Sequence, residues 1–199
     1  MSAKKHILIL LTVLLSACTV PKPADSPAAN QILSVEKRKT ETAKISSWEI
    51  TGAMAAKNQS KAWSAAMNWV QKGPNSYQIR LIGPLGGGAV VINKTGNTIT
   101  FNDGKKTIAS TNADKLLAQQ TGIQLPVNNL YYWVRGLAAP GAIQQEQRDQ
   151  YNHLIQLKQN GYAIDFTRYT AIKGIDVPGV IRLQGQGVMI KVIIKSWNT

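Results

Sequence analysis

The chain has 199 residues, with 23 Lys and Arg against 10 Asp and Glu, a formal charge of +13. A single cysteine and two histidines exclude a disulfide framework and leave almost nothing for a thiolate or imidazole metal site. So basic a surface suits an anionic partner.

In chain order, Lys4 and Lys5 come first, followed by an apolar run from Ile7 to Leu15 interrupted only by Thr12. Leu15-Ser16-Ala17-Cys18 closes it, giving the charged, apolar and small-residue parts of a secretion signal. The run is well short of the ~20 residues that span a bilayer, so it is not a lasting membrane helix. Leu-Ser-Ala-Cys is the pattern at which lipoprotein signal peptidases cut. Residues 1–17 are therefore expected to be removed and Cys18 to carry palmitate and further acyl chains, which together anchor stably. Thr19, in place of the Asp that retains lipoproteins at the inner membrane, favours the outer membrane. Losing Lys4 and Lys5 lowers the formal +13 by two. That compartment offers anionic headgroups and acidic proteins, so no nucleic acid is expected as a partner.

Residues 18–31, the lipidated cysteine and TVPKPADSPAANQ, are rich in Pro, Ala and Ser and read as a tether. A folded domain is expected over 32–199, with a short helix around 31–44. From Ser47 the period is two. Trp48, Ile50, Gly52 and Met54 share one face, as do Trp63, Ala65, Met67 and Trp69, and then Tyr77, Ile79 and Leu81. Val90 with Ile92 and Ile99 with Phe101 continue the pattern. Hairpin turns are predicted at Lys72-Gly73-Pro74-Asn75, Thr95-Gly96-Asn97 and Asp103-Gly104. Such spacing predicts an antiparallel meander that curls into a barrel or half-barrel.

A helix capped by Thr111 or Asn112 is predicted through Gln120, with Gly122 at its end. After Pro126, the residues Val127, Leu130, Tyr131 and Val134 fall at i, i+3, i+4 and i+7, a second amphipathic helix closed by Gly136. Strands resume at His153–Lys158, Tyr162–Tyr169, Gly179–Gln184 and Val188–Trp197, with Asn160-Gly161 as a hairpin signal. The last strand sets Val188, Ile190, Val192 and Ile194 against Lys191 and Lys195.

Active-site chemistry is sparse. His6 leaves with the signal, so His153 alone remains, in a strand pattern without a nucleophile elbow. Cys18 is consumed by lipid, and the ten carboxylates show no pair suggesting acid–base work. Gly83-Pro84-Leu85-Gly86-Gly87-Gly88 lacks the Lys-Ser/Thr of a phosphate loop. No catalysis, cofactor or metal is expected. The inward aromatic and Met side chains fit either a self-filled core or an interior holding hydrocarbon. Leu85, between Pro84 and three glycines, either folds back on the barrel or is displayed as an apolar probe.

Over the whole mature chain these features resemble the LolB family of outer-membrane lipoproteins. The likeness rests on Leu15–Cys18, the Trp48-to-Gly52 strand, Trp63 through Trp69 followed by Tyr77-Gln-Ile-Arg-Leu, and Gly83-Pro-Leu-Gly86. Leu125-Pro-Val, Leu130-Tyr-Tyr-Trp-Val-Arg-Gly-Leu137 and Ile190-Lys-Val-Ile-Ile-Lys-Ser-Trp197 complete it. The resemblance implies a mainly β fold with helices, an unclosed antiparallel half-barrel of the LolA/LolB kind whose helices cover an apolar cavity. It also implies a receptor that takes lipoproteins from the periplasmic carrier LolA and inserts them into the outer membrane. The family's protruding leucine falls on Leu85, so Pro84, Leu85 and Gly86 are the expected membrane-insertion loop. For contact with client acyl chains we assign Trp48, Ile50, Met54, Trp63, Met67 and Trp69 from the first two strands. Tyr77, Ile79, Leu81, Leu130 and Val134 complete that expected lining. A monomer is expected, and a lipocalin-like lipoprotein binding a small apolar ligand is the alternative.

Overall fold

The computed structural model describes residues 31–84 and 88–199. Cys18, Leu85 and Gly86 lie outside the described residues. The chain opens with α1 (Val35–Lys44), whose N-cap Ser34 accepts a hydrogen bond from the Lys37 amide through its side chain. The buried residues of α1 are Arg38 and Thr42, not the apolar positions of the sequence. Two long strands follow, β1 (Ser47–Lys57) and β2 (Ala62–Lys72), then β3 (Ser76–Ile82), β4 (Ala89–Thr95), β5 (Thr98–Asn102) and β6 (Thr107–Ser110). Two helices interrupt the meander, α2 (Ala113–Thr121) and α3 (Val127–Trp133). The chain returns through β7 (Ile143–Arg148), β8 (Leu154–Gln159) and β9 (Tyr162–Thr167), with a small hairpin of β10 (Thr170–Ile172) and β11 (Ile175–Val177). Strands β12 (Val180–Gly185) and β13 (Val188–Asn198) finish it.

Eleven strands form one antiparallel sheet in the order β6-β5-β4-β3-β2-β1-β13-β12-β9-β8-β7. The ends β6 and β7 do not pair, so the sheet curls without closing, as expected. Local signals explain most turns. Asn160 and Gly161 both take positive φ, as the tight hairpin requires. Asn112 caps α2 by accepting from the Lys115 amide, and Gly122 ends it in the left-handed region.

The period-two faces appear as expected: Trp48, Ile50 and Met54 of β1 are buried, and so are Val188, Ile190, Val192 and Ile194 of β13. Strands β6, β7, β10 and β11 are additional to the sequence reading. Histidine 153 sits one residue before β8 instead of within it.

The far end from the β1–β2 hairpin is closed by α1 and buried tyrosines. Tyr169 is half-buried, stacked on His153 at 4.2 Å, and its hydroxyl donates to the Leu154 carbonyl. Burial pushes its phenol far above the usual range, and burial with the nearby Asp114 charge does the same to Tyr77 and also raises Tyr162. The folded chain therefore keeps these protons after the unfolded chain begins to lose them near pH 10. Stability from these groups is full below that pH and falls above it. In a thermal-midpoint titration we expect a flat profile to about pH 9 and a decline beyond about pH 10, accompanied by tyrosinate absorbance.

Candidate functional site

The concave face is mainly apolar, with buried Gln71 and Gln159 hydrogen-bonded to Trp69, Trp133 and the Ala139 backbone, and α2 and α3 lie against it. Leu116 and Leu117 of α2 and Val127, Leu130 and Trp133 of α3 are buried in one cluster with Ile50, Trp69, Ile79, Ile92 and Phe101. Ten of the eleven expected lining residues belong to this buried cluster, and Trp63 is the partly exposed one packed against it. The helices thus occupy much of the concavity that the sequence left open between filled and hollow.

Space remains at the mouth, the end bearing the β1–β2 hairpin. An open depression of about 400 Å³ lies there, walled by Trp63, Ala65, Leu81, Val90 and Phe101. That is within the ~300–1,000 Å³ usual for sites that take small apolar ligands. Its rim is the C-terminal end of α2, at Gln120 and Thr121, with Asp103, Lys105, Gly83 and Gly88. The Gly83 amide donates to the Gly88 carbonyl at 3.1 Å, closing the neck of the loop, and Pro84 at its start is exposed. So Trp63 and Leu81 face open space, and the other expected lining residues lie deeper or elsewhere.

The mouth end of α2 is fastened by the β1–β2 hairpin. Asn58 donates from Nδ2 to the Gly122 carbonyl at 2.9 Å, and its Oδ1 accepts from the Lys61 amide at 2.8 Å. The Lys61 side chain fills the place that a Cβ on Gly122 would take. A basic group beside a helix C-terminus also complements the helix dipole. Sequence gave no warning of this contact, which spans some sixty residues.

At the other end, Arg135 is buried over the rings of Tyr131 at 4.1 Å, Trp48 at 5.2 Å and Tyr132 at 5.6 Å. Its guanidinium donates to the carbonyls of Tyr131 and Ile45. Burial lowers its pKa from the usual arginine value, and the facing tyrosines oppose that shift. This cage explains the Tyr131-Tyr132-Trp133-Val134-Arg135 run: it pins α3 to the start of β1.

A second polar cluster is one the sequence did not reveal. His153 is completely buried, with Nδ1 2.8 Å from Asp149 Oδ2 and Nε2 2.7 Å from Asp176 Oδ2. Arg38 of α1 reaches Asp176 at 3.5 Å and donates to the Tyr151 carbonyl. The carboxylates that looked scattered are thus paired in space around the histidine. Both ring nitrogens are occupied and no surface reaches them, so the group ties α1 to the sheet instead of meeting a substrate.

An unclosed antiparallel half-barrel with helices in its concavity defines a class of fold, and solved structures share it. A LolA-superfamily protein of Nitrosomonas europaea superposes with a TM-score of 0.51 at 8% identity, covering 83% of this chain and 93% of that one. A DUF1329 family protein of Desulfovibrio piger gives 0.51 at 7% identity, covering 87% and 93%. The chain belongs to the family described as outer membrane lipoprotein LolB, whose model matches residues 46–197. Similar relatives bear the same description. One from Coxiella burnetii (strain RSA 493 / Nine Mile phase I) is 35% identical across 95% of this chain and 90% of its own. Another, from Ectopseudomonas mendocina (strain ymp), is 30% identical across 98% and 96%. Membership places the chain at the outer membrane, among the lipoproteins of the localisation pathway. No helix among the described residues is long and apolar enough to cross a membrane.

Proposed function

We propose that this protein accepts lipoproteins from the soluble periplasmic carrier LolA and inserts them into the outer membrane by passive transfer of their acyl chains. The observation that carries this reading is the mouth depression. Its apolar wall runs directly into the buried face on which the Leu116 and Leu117 side chains of α2 now sit. Acyl chains entering past Trp63 and Leu81 would replace those leucines against Phe101, Ile92 and Ile79, apolar for apolar. The transfer is close to neutral, so a small affinity difference sets its direction, each ~1.4 kcal/mol biasing it tenfold. Enclosure is needed because a triacyl anchor has roughly 45 methylenes, worth on the order of 35 kcal/mol when exposed to water.

Release would follow where Leu85 enters the bilayer. Leu33 and α1 lie at the opposite end, where Asn152 donates to the Leu33 carbonyl. Residues 19–31, fully extended, reach about 45 Å, beyond the ~36 Å length of an 11-residue strand such as β1. The anchor at Cys18 and the mouth can therefore occupy one membrane.

The test is an in vitro hand-over of labelled lipoprotein from the carrier to this protein and on to vesicles. Leu85→Glu should still accept label but deliver it at least about tenfold more slowly, since burying a leucine side chain in the bilayer contributes roughly 1.5–3 kcal/mol. Label that never leaves the carrier for the parent protein would overturn the receptor reading. Equal delivery by the variant would restrict the failure to the role of Leu85.

A further inference from the structure

The outward face of the sheet carries a second depression, larger than the mouth and meeting it at Trp63. Its volume is about 670 Å³, and it crosses β2, β1, β13, β12, β9 and β8. Strand register explains it. One outward row sets Ser64 opposite Ala55, Ala55 opposite Lys191, Lys191 opposite Arg182, and Arg182 opposite Asp165. The next row, nearer the hairpin turns, runs from Ala62 through Lys57, Met189 and Gln184 to Ala163. Alanines and a serine between long side chains leave a trough with a shallow apolar floor and a cationic rim.

Three facts about this trough point to an anionic occupant. Lys191 and Arg182 face each other directly across β13 and β12, a pairing that costs stability when nothing negative lies between them. Among the described residues, Lys57, Arg182 and Lys191 have no ion pair or side-chain hydrogen bond. Asp165 is the lone carboxylate in the lining, and it accepts from Gln156 instead of pairing with Arg182. The third fact is Met189, 44% exposed beside Lys57, an apolar side chain that water alone does not favour.

We propose that this trough is a docking surface for the anionic phospholipid leaflet, with headgroup phosphates between Lys57, Lys191 and Arg182 and Met189 dipping among the upper methylenes. The long basic side chains reach headgroups while their stems cover the apolar floor. The trough lies at the same strand ends as the mouth, so seating it holds that end of the sheet at the bilayer. A bilayer is the favoured occupant because an outer-membrane lipoprotein is held within tether reach of it at high effective concentration. The inference rests on the membrane location and not on acyl-chain hand-over, so either can fail alone.

The experiment uses the mature chain with Cys18→Ser, so that no anchor masks the contact. Binding is measured on vesicles of phosphatidylethanolamine with phosphatidylglycerol, and on neutral phosphatidylcholine. The parent should bind the anionic vesicles and not the neutral ones. Each cation near an anionic leaflet contributes roughly fivefold, so Lys57→Gln, Arg182→Gln and Lys191→Gln together should weaken binding about a hundredfold. A control with the same charge loss, Lys37→Gln, Lys72→Gln and Lys195→Gln, should lose no more than about threefold, because screening confines the effect to nearby phosphates. Lys191→Glu guards against misfolding: it sets a carboxylate opposite Arg182, which favours the fold, yet it should still weaken binding. Equal losses in the trough and control triples would overturn the proposal, as would parent-level binding by the trough triple. So would a trough triple that binds vesicles normally but takes lipoprotein poorly from the carrier, since the surface would then serve a protein.

Discussion

Asp176→Ala should cost about 3–5 kcal/mol of unfolding free energy, a large part of the roughly 5–15 kcal/mol that holds a domain together. Asp176 is fully buried and serves two partners at once, His153 Nε2 at 2.7 Å and Arg38 at 3.5 Å. Its removal leaves a buried guanidinium whose Nε and Nη1 already lack partners and which then loses its ion-pair carboxylate. The loss falls on the joint between α1 and the sheet, where Asn152 also holds the Leu33 carbonyl and Asp149 caps its own turn through the Tyr151 and His153 amides. Urea unfolding with an unchanged slope would measure it. A paired change, Arg38→Met with Asp176→Leu, should recover most of the loss, because no unpaired charge then remains. A cost below about 1 kcal/mol for the single variant would show that the network is solvated and not a true tie.

Gly52→Ala is expected to be comparably damaging, at least about 3 kcal/mol, for a steric reason. A Cβ at this position would stand 1.9 Å from the carbonyl oxygen of Ile193, and backbone cannot move aside as a side chain can. Gly52 sits at a bulge, where the β1–β13 register shifts between Thr51 and Gly52. That pairing is the single seam joining the half-sheet β6 to β1 with the half-sheet β13 to β7. Forcing β13 away would open the floor beneath Met54 and Val192. Gly96→Ala, at a turn with open space around it, should cost only about 1 kcal/mol through its positive φ. Thermal or urea denaturation of the two variants side by side checks the contrast, and near-equal costs would sink the close-approach argument.

Much of the protein follows from local pattern. The Leu15–Cys18 motif, the alternating faces of β1, β2, β3 and β13, the Asn160-Gly161 hairpin and the capped helix from Ala113 each depend on residues close together in the chain. Short-range rules govern them: side chains alternate along a strand, and particular turn and cap residues suit particular backbone shapes. Where those cues fail, so does the reading. Ile143–Arg148 carries polar residues on both faces because β7 is an exposed edge, and three-residue β10 and β11 are too short for any period to show.

Tertiary structure alone decided the remainder. Asp149 and His153 are four residues apart, but Arg38 and Asp176 lie far from them in the chain, and only the docking of α1 and the β10–β11 hairpin completes the buried cluster. Whether the concave face was filled or hollow depended on where α2 and α3 settle, which the buried Leu116, Leu117 and Leu130 show. Lys57, Arg182 and Lys191 line one trough because the first and last strands pair, a register no local window encodes. Long-range strand pairing and burial are paid for by the whole fold, so their consequences become visible only once the chain is folded.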